Sequence, residues 1–140
     1  MDILSEFNRI MKTTAYGSLA TSAEWQPNVR IINFVWNEVE KVMYFCTFHG
    51  TSKMADIEKN GKVAFTTIPA IGLEEHVRVS RAVAMKSAKS VADVKGVLVE
   101  KYPHFEQMFA AGLEKFAIYE VRFEKADVVL GFDQHDVINF

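Results

Sequence analysis

The sequence predicts a mainly β fold, an antiparallel barrel with helices inserted at intervals. Short runs rich in β-branched and aromatic residues recur along the chain, and each run is bounded by residues that favour turns. Several of these runs follow one another without an intervening helix. Parallel sheets instead alternate strand and helix, so the order of elements favours an antiparallel barrel.

The first half of the chain is expected to contain two helices and four strands. An amphipathic helix is predicted from roughly Ile3 to Thr13, where apolar residues recur at helical spacing. A second, shorter helix is predicted from Thr51 to Lys59, between the third and fourth strands. The four strands are predicted at SLATSA, NVRIINFVW, VMYFCT and VAFTTI.

The second half adds two longer strands, which makes six in total, with two helices between them. The fifth strand is predicted at HVRVSRAVAM, and the sixth at AIYEVRFEKADVVL with a bend near Glu124 to Asp127. The segments SVADVKGVLVEKY and HFEQMFAAGLEKF, which lie between these strands, have helical spacing. These helices either shape a pocket or cover one end of the barrel, and covering is the commoner use.

Composition limits the class of protein. The chain has 140 residues, of which 49% are apolar, so we expect a single domain spanning residues 1–140. A net charge of −2 implies no general attraction to nucleic acid or to an anionic membrane. A single cysteine, Cys46, cannot form an internal disulfide, and no run of about 18 apolar residues could span a membrane. We therefore expect a cytoplasmic protein.

Common catalytic and metal-binding motifs are missing from the sequence. The four histidines are widely spaced, and with Cys46 they form no recognisable cluster of metal ligands, so no metal site is predicted. The chain has no Gly-x-Ser-x-Gly, no Gly-x-x-x-x-Gly-Lys and no Gly-x-Gly-x-x-Gly. No pair of carboxylates stands out, and no catalytic residue is assigned.

The stretch FCTFHGTSKMADI carries an unusual helix start. The exposed N–H groups at a helix start favour Asp and Glu, yet this helix begins with Thr51, Ser52 and Lys53. An ordinary Thr51 cap with Lys53 in water is one explanation, and it is favoured on this stretch alone. A bound phosphate is the other, because it would gain the N–H groups, two hydroxyls and an ammonium together.

Arg30 is the second residue of interest, in the strand NVRIINFVW. Strand alternation puts it on the same face as three large apolar residues, Ile32, Phe34 and Trp36. A guanidinium in such a setting normally has an anionic or carbonyl partner. An edge position or an ion pair with an acid of the chain is favoured for this residue by itself, and a bound anion is the other explanation. Two anion-seeking sites together make a small phosphorylated ligand more plausible than either site does alone.

The motifs now resemble a known family. The order YGSLATSA, QPNVRIINFVW and KVMYFCTFHGTSKMADIEKNGKVAFT resembles the pyridoxamine 5′-phosphate oxidase-like family of FMN-binding split β-barrels. The resemblance runs from about Tyr16 to Thr67, and the order of the later elements continues it. It implies a six-stranded antiparallel split barrel that forms a homodimer with FMN at the subunit interface.

The same resemblance implies roles for particular residues. Arg30 and Lys53 would hold the FMN phosphate. Thr51 and Ser52 would assist them. Four residues would line the flavin and its ribityl chain: Ile31, Ile32, Asn33 and Thr47. Three residues of the partner subunit would complete the pocket, on rough topology alone: Arg78, Phe132 and Gln134.

Differences between this sequence and the family restrict the functions that the resemblance implies. The chain lacks the C-terminal Trp-Gly-Gly-Tyr-Arg and Arg-Leu-His segments of true pyridoxamine phosphate oxidases, which argues against oxidation of vitamin B6. The resemblance then implies an FMN-dependent oxidoreductase that acts on an unidentified small molecule, with NAD(P)H as a candidate partner. A non-catalytic flavin-binding, carrier or sensor protein is the alternative. Related split barrels are similar to deazaflavin reductases and haem-binding proteins, so deazaflavin and haem are alternative cofactors.

Overall fold

A computed structural model describes residues 2–140, and over that range it contains four α-helices and nine strands. The helices are α1 (Ile3–Thr13), α2 (Ser52–Lys59), α3 (Val91–Lys101) and α4 (Phe105–Ala110), and a short 3-10 turn follows at Leu113–Lys115. The strands are β1 (Tyr16–Ala23), β2 (Gln26–Ile32), β3 (Val35–Asn37), β4 (Val42–Phe48), β5 (Lys62–Ile68), β6 (His76–Lys86), β7 (Phe116–Arg122), β8 (Lys125–Gly131) and β9 (Gln134–Asn139).

All strand pairs in the sheet are antiparallel, which confirms the predicted mainly β class. The strands follow the order β2-β1-β5-β6-β7-β4-β3, and β8 pairs with both β6 and β9. The two ends of this path, β2 and β3, are separated in sequence by only Asn33 and Phe34. The sheet must therefore curl until its ends meet, as the predicted barrel requires.

The predicted number of strands, six, is wrong for residues 2–140. The segment NVRIINFVW forms two strands, because the backbone N–H of Phe34 donates to the Tyr102 hydroxyl rather than to a neighbouring strand. The segment AIYEVRFEKADVVL breaks at the expected bend, since β7 pairs with one end of β6 and β8 with the other. The tail residues Gln134–Asn139 form β9, a strand that was not predicted from the sequence.

Two hydrophobic cores lie on opposite sides of the sheet. The main core contains Ile32, Phe34 and Trp36, which are buried as strand alternation predicted. Helix α1 has the predicted bounds and packs its apolar face onto this core, where the rings of Phe7 and Trp36 meet edge to face at 5.2 Å. Val29 and Ile31 point away from the core and are 65% and 66% exposed.

The second core lies between the inserted helices α3 and α4 and the strands β4 and β7. A capping box of Ser90 and Asp93 fixes the start of α3. The apolar residues of both helices then pack on the side of the sheet that faces away from the main core, so strand β7 is buried on both faces. Within residues 2–140, no helix has the length and apolar character needed to cross a bilayer.

Candidate functional site

A cleft of about 240 Å³ opens where the ends of β2 and β4 approach α2 and α4. Six of the eight residues that were predicted to bind cofactor within one chain line it: Ile31, Ile32, Asn33, Thr47, Thr51 and Lys53. Residues that are some twenty positions apart in sequence therefore share one surface. The barrel brings them together because β2 leads into β3, and β3 pairs with β4.

Arg30 lies beside the cleft, with its guanidinium at the start of α2. One of its nitrogens, Nη1, donates to the Thr21 hydroxyl at 2.8 Å. The other, Nη2, lies 3.4 Å from the Asp56 carboxylate and 3.5 Å from the Ser52 hydroxyl. The ion pair foreseen as one explanation of Arg30 is thus present. It also holds the guanidinium next to Ser52, where the phosphate was predicted.

Asp56 is the acid that orients Arg30. Its carboxylate accepts a hydrogen bond from the Thr21 hydroxyl at 2.9 Å. This hydrogen bond, together with those from Arg30 and Asn28, holds the pKa of Asp56 below its usual value. Asp56 is therefore a carboxylate at neutral pH, and the Thr21, Arg30 and Asp56 side chains form a fixed polar group.

Of the two explanations offered for this helix start, the ordinary Thr51 cap is wrong, because within residues 2–140 the Thr51 side chain makes no capping bond to the first turn of α2. Thr51 occupies the capping position, but its hydroxyl lies 3.1 Å from the Thr47 hydroxyl. The bond between these two threonines takes the place of the cap. The first-turn N–H groups of α2 are therefore left to an outside acceptor, and that turn contains no acidic residue.

Lys53 is a partly buried cation at this uncapped helix start. No carboxylate lies within ion-pair distance of it in the described part of the chain. Burial lowers the pKa of Lys53, and the nearby charge of Arg30 lowers it further. An anion between the two cations would relieve both effects.

The opposite wall of the cleft was not predicted from the sequence. Six further residues line the cleft: Cys46, Phe48, His104, Phe105, Met108 and Phe116. Three of them come from α4 or the residue before it, so the inserted helices shape a pocket as well as cover the sheet. Their sequence pattern is that of ordinary core residues, and only His104, a polar residue among aromatic ones, could have signalled a site.

Cys46 is the one cysteine of the chain and lies on the wall of the cleft. Burial raises the pKa of its thiol to about 12. The thiol is therefore protonated at neutral pH and is a poor nucleophile. In residues 2–140, no three His, Cys, Asp or Glu side chains come together as a metal site would need.

The three residues predicted to come from the partner subunit lie outside the cleft of their own chain. Arg78 is on β6, opposite Thr66 of β5. Phe132 and Gln134 are in the β8–β9 hairpin, and Phe132 is 93% exposed at its tip. Because β8 pairs with β6 at Arg78, these residues lie towards the same end of the sheet. Their role in a partner's pocket stays a prediction.

Comparison with known proteins gives the family. Residues 10–135 match the pyridoxamine 5′-phosphate oxidase-like family. The chain belongs to this family. Among solved structures, this pyridoxamine 5′-phosphate oxidase-like chain is similar to general stress protein 26 from Bacillus anthracis, with 15% identity, a TM-score of 0.76 and all of both chains covered.

Two further similar structures show how the fold is shared. A NimC/NimA family protein from Clostridium acetobutylicum is 17% identical, with a TM-score of 0.70 over 99% of this chain and 90% of that one. A heme binding protein from Mycobacterium smegmatis is 14% identical, with a TM-score of 0.77 over 99% of this chain and 58% of that one. At these identities the likeness establishes the fold alone. A search of curated proteins gave no match.

Proposed function

We propose that the protein binds FMN in the cleft, with the phosphate at the start of α2, and acts as an FMN-dependent oxidoreductase on a small molecule. The observation that carries this proposal is Lys53. It is a partly buried cation, close to Arg30, without an acidic partner in residues 2–140, at a helix start that has no cap. Such a site favours an anion that accepts several hydrogen bonds, as a phosphate does.

The donor set fits a phosphate. Lys53 and Arg30 supply charge, and Ser52 and Thr51 supply hydroxyls beside the free N–H groups of α2. A guanidinium has five N–H donors, so the bonds of Arg30 to Thr21 and Asp56 leave others for a ligand. Binding of a phosphate would also raise the pKa of Lys53 towards its usual value.

The rest of the cleft fits the apolar part of a flavin. Beyond Lys53 and the two threonines, most lining side chains are aliphatic or aromatic. Apolar walls with a few convergent polar groups are typical of cofactor pockets. Bound FMN would supply electron or hydride transfer, while the residues of the chain bind it, orient it and exclude water.

A homodimer is part of the proposal. Val29 and Ile31 form an exposed apolar row on β2. On the neighbouring strands, Ser18 lies opposite Ile31, Thr66 lies opposite Ser18, and Arg78 lies opposite Thr66. Residues that lie opposite each other share a face of the sheet, so Arg78, which was predicted to enter the partner's pocket, lies on the same face as Ile31. An exposed apolar face of a sheet is typical of a subunit interface, which supports pairing through this surface.

Haem is the second candidate ligand, and His104 favours it. The imidazole of His104 is exposed on the cleft wall, and it would be able to bind haem iron as imidazoles do in other haem proteins. The propionates of haem are anions that Lys53 and Arg30 also suit. A carrier or sensor role without turnover is the alternative for either ligand, and a deazaflavin is the alternative to FMN.

The proposal is tested in two steps, which identify the bound ligand and then measure whether the bound flavin is reduced. Purified protein is examined for copurifying flavin or haem by absorption, and its thermal unfolding is compared with FMN, riboflavin, a phosphorylated deazaflavin or haem added. We expect FMN to raise the melting temperature and riboflavin to raise it much less, since riboflavin has no phosphate. A colourless protein that FMN does not stabilise would refute the proposal.

The oxidoreductase part is tested by mixing the FMN-loaded protein rapidly with NADH or NADPH. Loss of the oxidised flavin absorption at a saturable rate supports an enzyme. A flavin that neither nicotinamide reduces supports the carrier or sensor alternative instead.

A further inference from the structure

We propose that Tyr102 is a positioning residue that holds the two walls of the cleft at a fixed separation. One wall contains Ile32 and Asn33 at the end of β2, and the other contains His104 and Phe105 at the start of α4. The Tyr102 hydroxyl forms a hydrogen bond with Phe34, which directly follows the first wall. In the sequence, Tyr102 lies just before the second wall. Its consequence for FMN rests on the proposed function, whereas its effect on the shape of the cleft does not.

The Tyr102 hydroxyl bonds to two separate segments of the backbone. It accepts a hydrogen bond from the Phe34 N–H at 3.1 Å, and it donates to the Ala15 carbonyl oxygen at 2.6 Å. Both Tyr102 and Phe34 are buried, with 5% and 1% exposure. A single hydroxyl thus links the end of α3 to the β2–β3 connection and to the residue before β1.

Lys101 completes the link. Its Nζ donates to the Phe34 carbonyl oxygen at 2.9 Å and to the Met11 carbonyl oxygen at 3.1 Å. The same Nζ lies 4.0 Å from the centre of the Phe34 ring, within cation–π range. Both backbone groups of Phe34 are therefore bonded by side chains from the end of α3.

These bonds matter because Phe34 lies where the sheet is interrupted. The residue follows the end of β2 and precedes β3, so its peptide groups belong to no strand. A buried peptide group needs a partner, and here the partners are Tyr102 and Lys101. Burial raises the pKa of Tyr102, and the hydrogen bond with the Phe34 backbone opposes that rise.

A simpler role for Tyr102 is packing alone. Its ring stacks on Phe105 with centroids 5.3 Å apart, and both belong to the second core. If packing were the whole role, Tyr102→Phe would keep the ring and leave the cleft unchanged. If the hydroxyl positions the walls, the same substitution would release the β2–β3 connection and loosen the cleft.

Cys46 reports on the cleft without any ligand. It is the single cysteine of the chain, it lines the cleft, and it is partly buried, which raises the pKa of its thiol. The experiment measures the rate at which methyl methanethiosulfonate, a small neutral reagent, modifies Cys46 in the apoprotein. We expect Tyr102→Phe to react about tenfold faster than the wild type, since transient opening exposes the thiol.

Tyr44→Phe is the matched control. Tyr44 is buried in the same core, and its hydroxyl bonds to Glu40 at 3.1 Å, outside the cleft. This variant should react at the wild-type rate. Equal rates for Tyr102→Phe and the wild type would overturn the proposal. If Tyr102→Phe does not unfold cooperatively, Lys101→Met is measured instead, since it removes the lysine bond to the Phe34 carbonyl and should also accelerate the reaction. A wild-type rate for Lys101→Met would then overturn the proposal.

A second arm adds saturating FMN before the reagent. If FMN fails to protect Cys46 while Tyr102→Phe still accelerates its modification, the proposed FMN site is wrong and the positioning role stands. If FMN protects Cys46 while Tyr102→Phe reacts like the wild type, the positioning role is wrong and the FMN site stands. The two proposals therefore fail by different results.

Discussion

The two walls of the cleft are built in different ways. The wall at α2 uses charge, with Lys53 and Arg30 beside an uncapped helix start. The wall at α4 uses shape, because Phe105 and Met108 line the cleft with apolar side chains. Positive charge at a helix start contradicts local preference, so it is visible in the sequence. Apolar residues on a helix conform to local preference, so a wall made of them is not.

The largest effect on FMN affinity is expected when the two cations of the charged wall are removed. The double variant Arg30→Ala/Lys53→Ala should bind FMN at least about 100-fold more weakly, because each charge-assisted interaction contributes about 1.5–3 kcal/mol. Its affinity for riboflavin should change little, since riboflavin lacks the phosphate that these cations would bind. Quenching of flavin fluorescence on titration measures both affinities. An unchanged affinity for FMN would contradict the charge-based role of this wall.

Lys59→Ala is the control for that experiment. Lys59 is on the same helix, but it lies in the last turn and pairs with Glu24 at 3.0 Å. An exposed pair of this kind contributes little to stability or binding. A loss of FMN affinity in Lys59→Ala similar to that in the double variant would mean that net charge, and not the position of Lys53, drives binding.

The sequence predicted the elements whose causes are local. Helix α1 has the predicted bounds because its apolar residues follow a 3.6-residue period within one segment. Arg30 was placed on the buried face of its strand, and its side chain is indeed only 15% exposed. Six predicted lining residues also meet in one cleft, but four of them, Ile31, Ile32, Asn33 and Thr47, were predicted from the family resemblance and not from a local pattern.

The features that were missed have distant causes. The strand NVRIINFVW breaks at Phe34 because of Tyr102, which is 68 residues later in the sequence. Thr51 fails to cap α2 because its hydroxyl bonds to Thr47 of β4. The α4 wall was missed because nothing in its pattern distinguishes Met108 from a residue of the core. Each of these features depends on tertiary contacts, and the spacing of apolar residues does not reveal such contacts.

The second prediction tests whether the charged wall needs a partner subunit. Val29→Glu places a charge on the exposed apolar row of β2, so it should convert the proposed dimer to a monomer in sedimentation velocity. If the partner completes the pocket, FMN should also bind at least about tenfold more weakly, because burial of the ligand is lost. Val39→Glu is the control, since Val39 is exposed at the β3–β4 turn. A wild type that is monomeric would contradict the proposed interface.

The third prediction tests the shape-based wall. Met108→Ala should weaken the binding of FMN and of riboflavin to the same degree, by about fivefold, because the lost apolar contact is worth about 1 kcal/mol for either ligand. The same titrations measure it, with Met85→Ala, a half-exposed residue of β6 outside the cleft, as the control. If Met108→Ala weakened the binding of FMN and left the binding of riboflavin unchanged, Met108 would act on the phosphate as the charged wall does. The distinction between a charged wall and a shape-based wall would then be wrong.

The smallest expected effect concerns the stability of the protein without ligand. Burial and the charge of Arg30 lower the pKa of Lys53, so the folded chain loses that proton at a lower pH than the unfolded chain does. Between the lowered pKa and the usual value of about 10.4, the unfolded state holds more protons. The contribution of Lys53 to the free energy of unfolding therefore rises as the pH increases through that window.

Lys53→Met isolates this contribution, because the variant keeps a long side chain and cannot titrate. Urea unfolding at several pH values from 7 to 10 should find the apo variant more stable than the wild type at pH 7, with the difference shrinking as the pH rises. Lys101, whose pKa burial lowers to about 8, titrates in both proteins and cancels in the comparison. Saturating FMN should reverse the order at pH 7, because only the wild type gains the phosphate interaction. If the free energy of unfolding has the same pH dependence in the two apoproteins, the charge of Lys53 does not destabilise the fold. The charged wall would then gain no electrostatic relief from a bound anion.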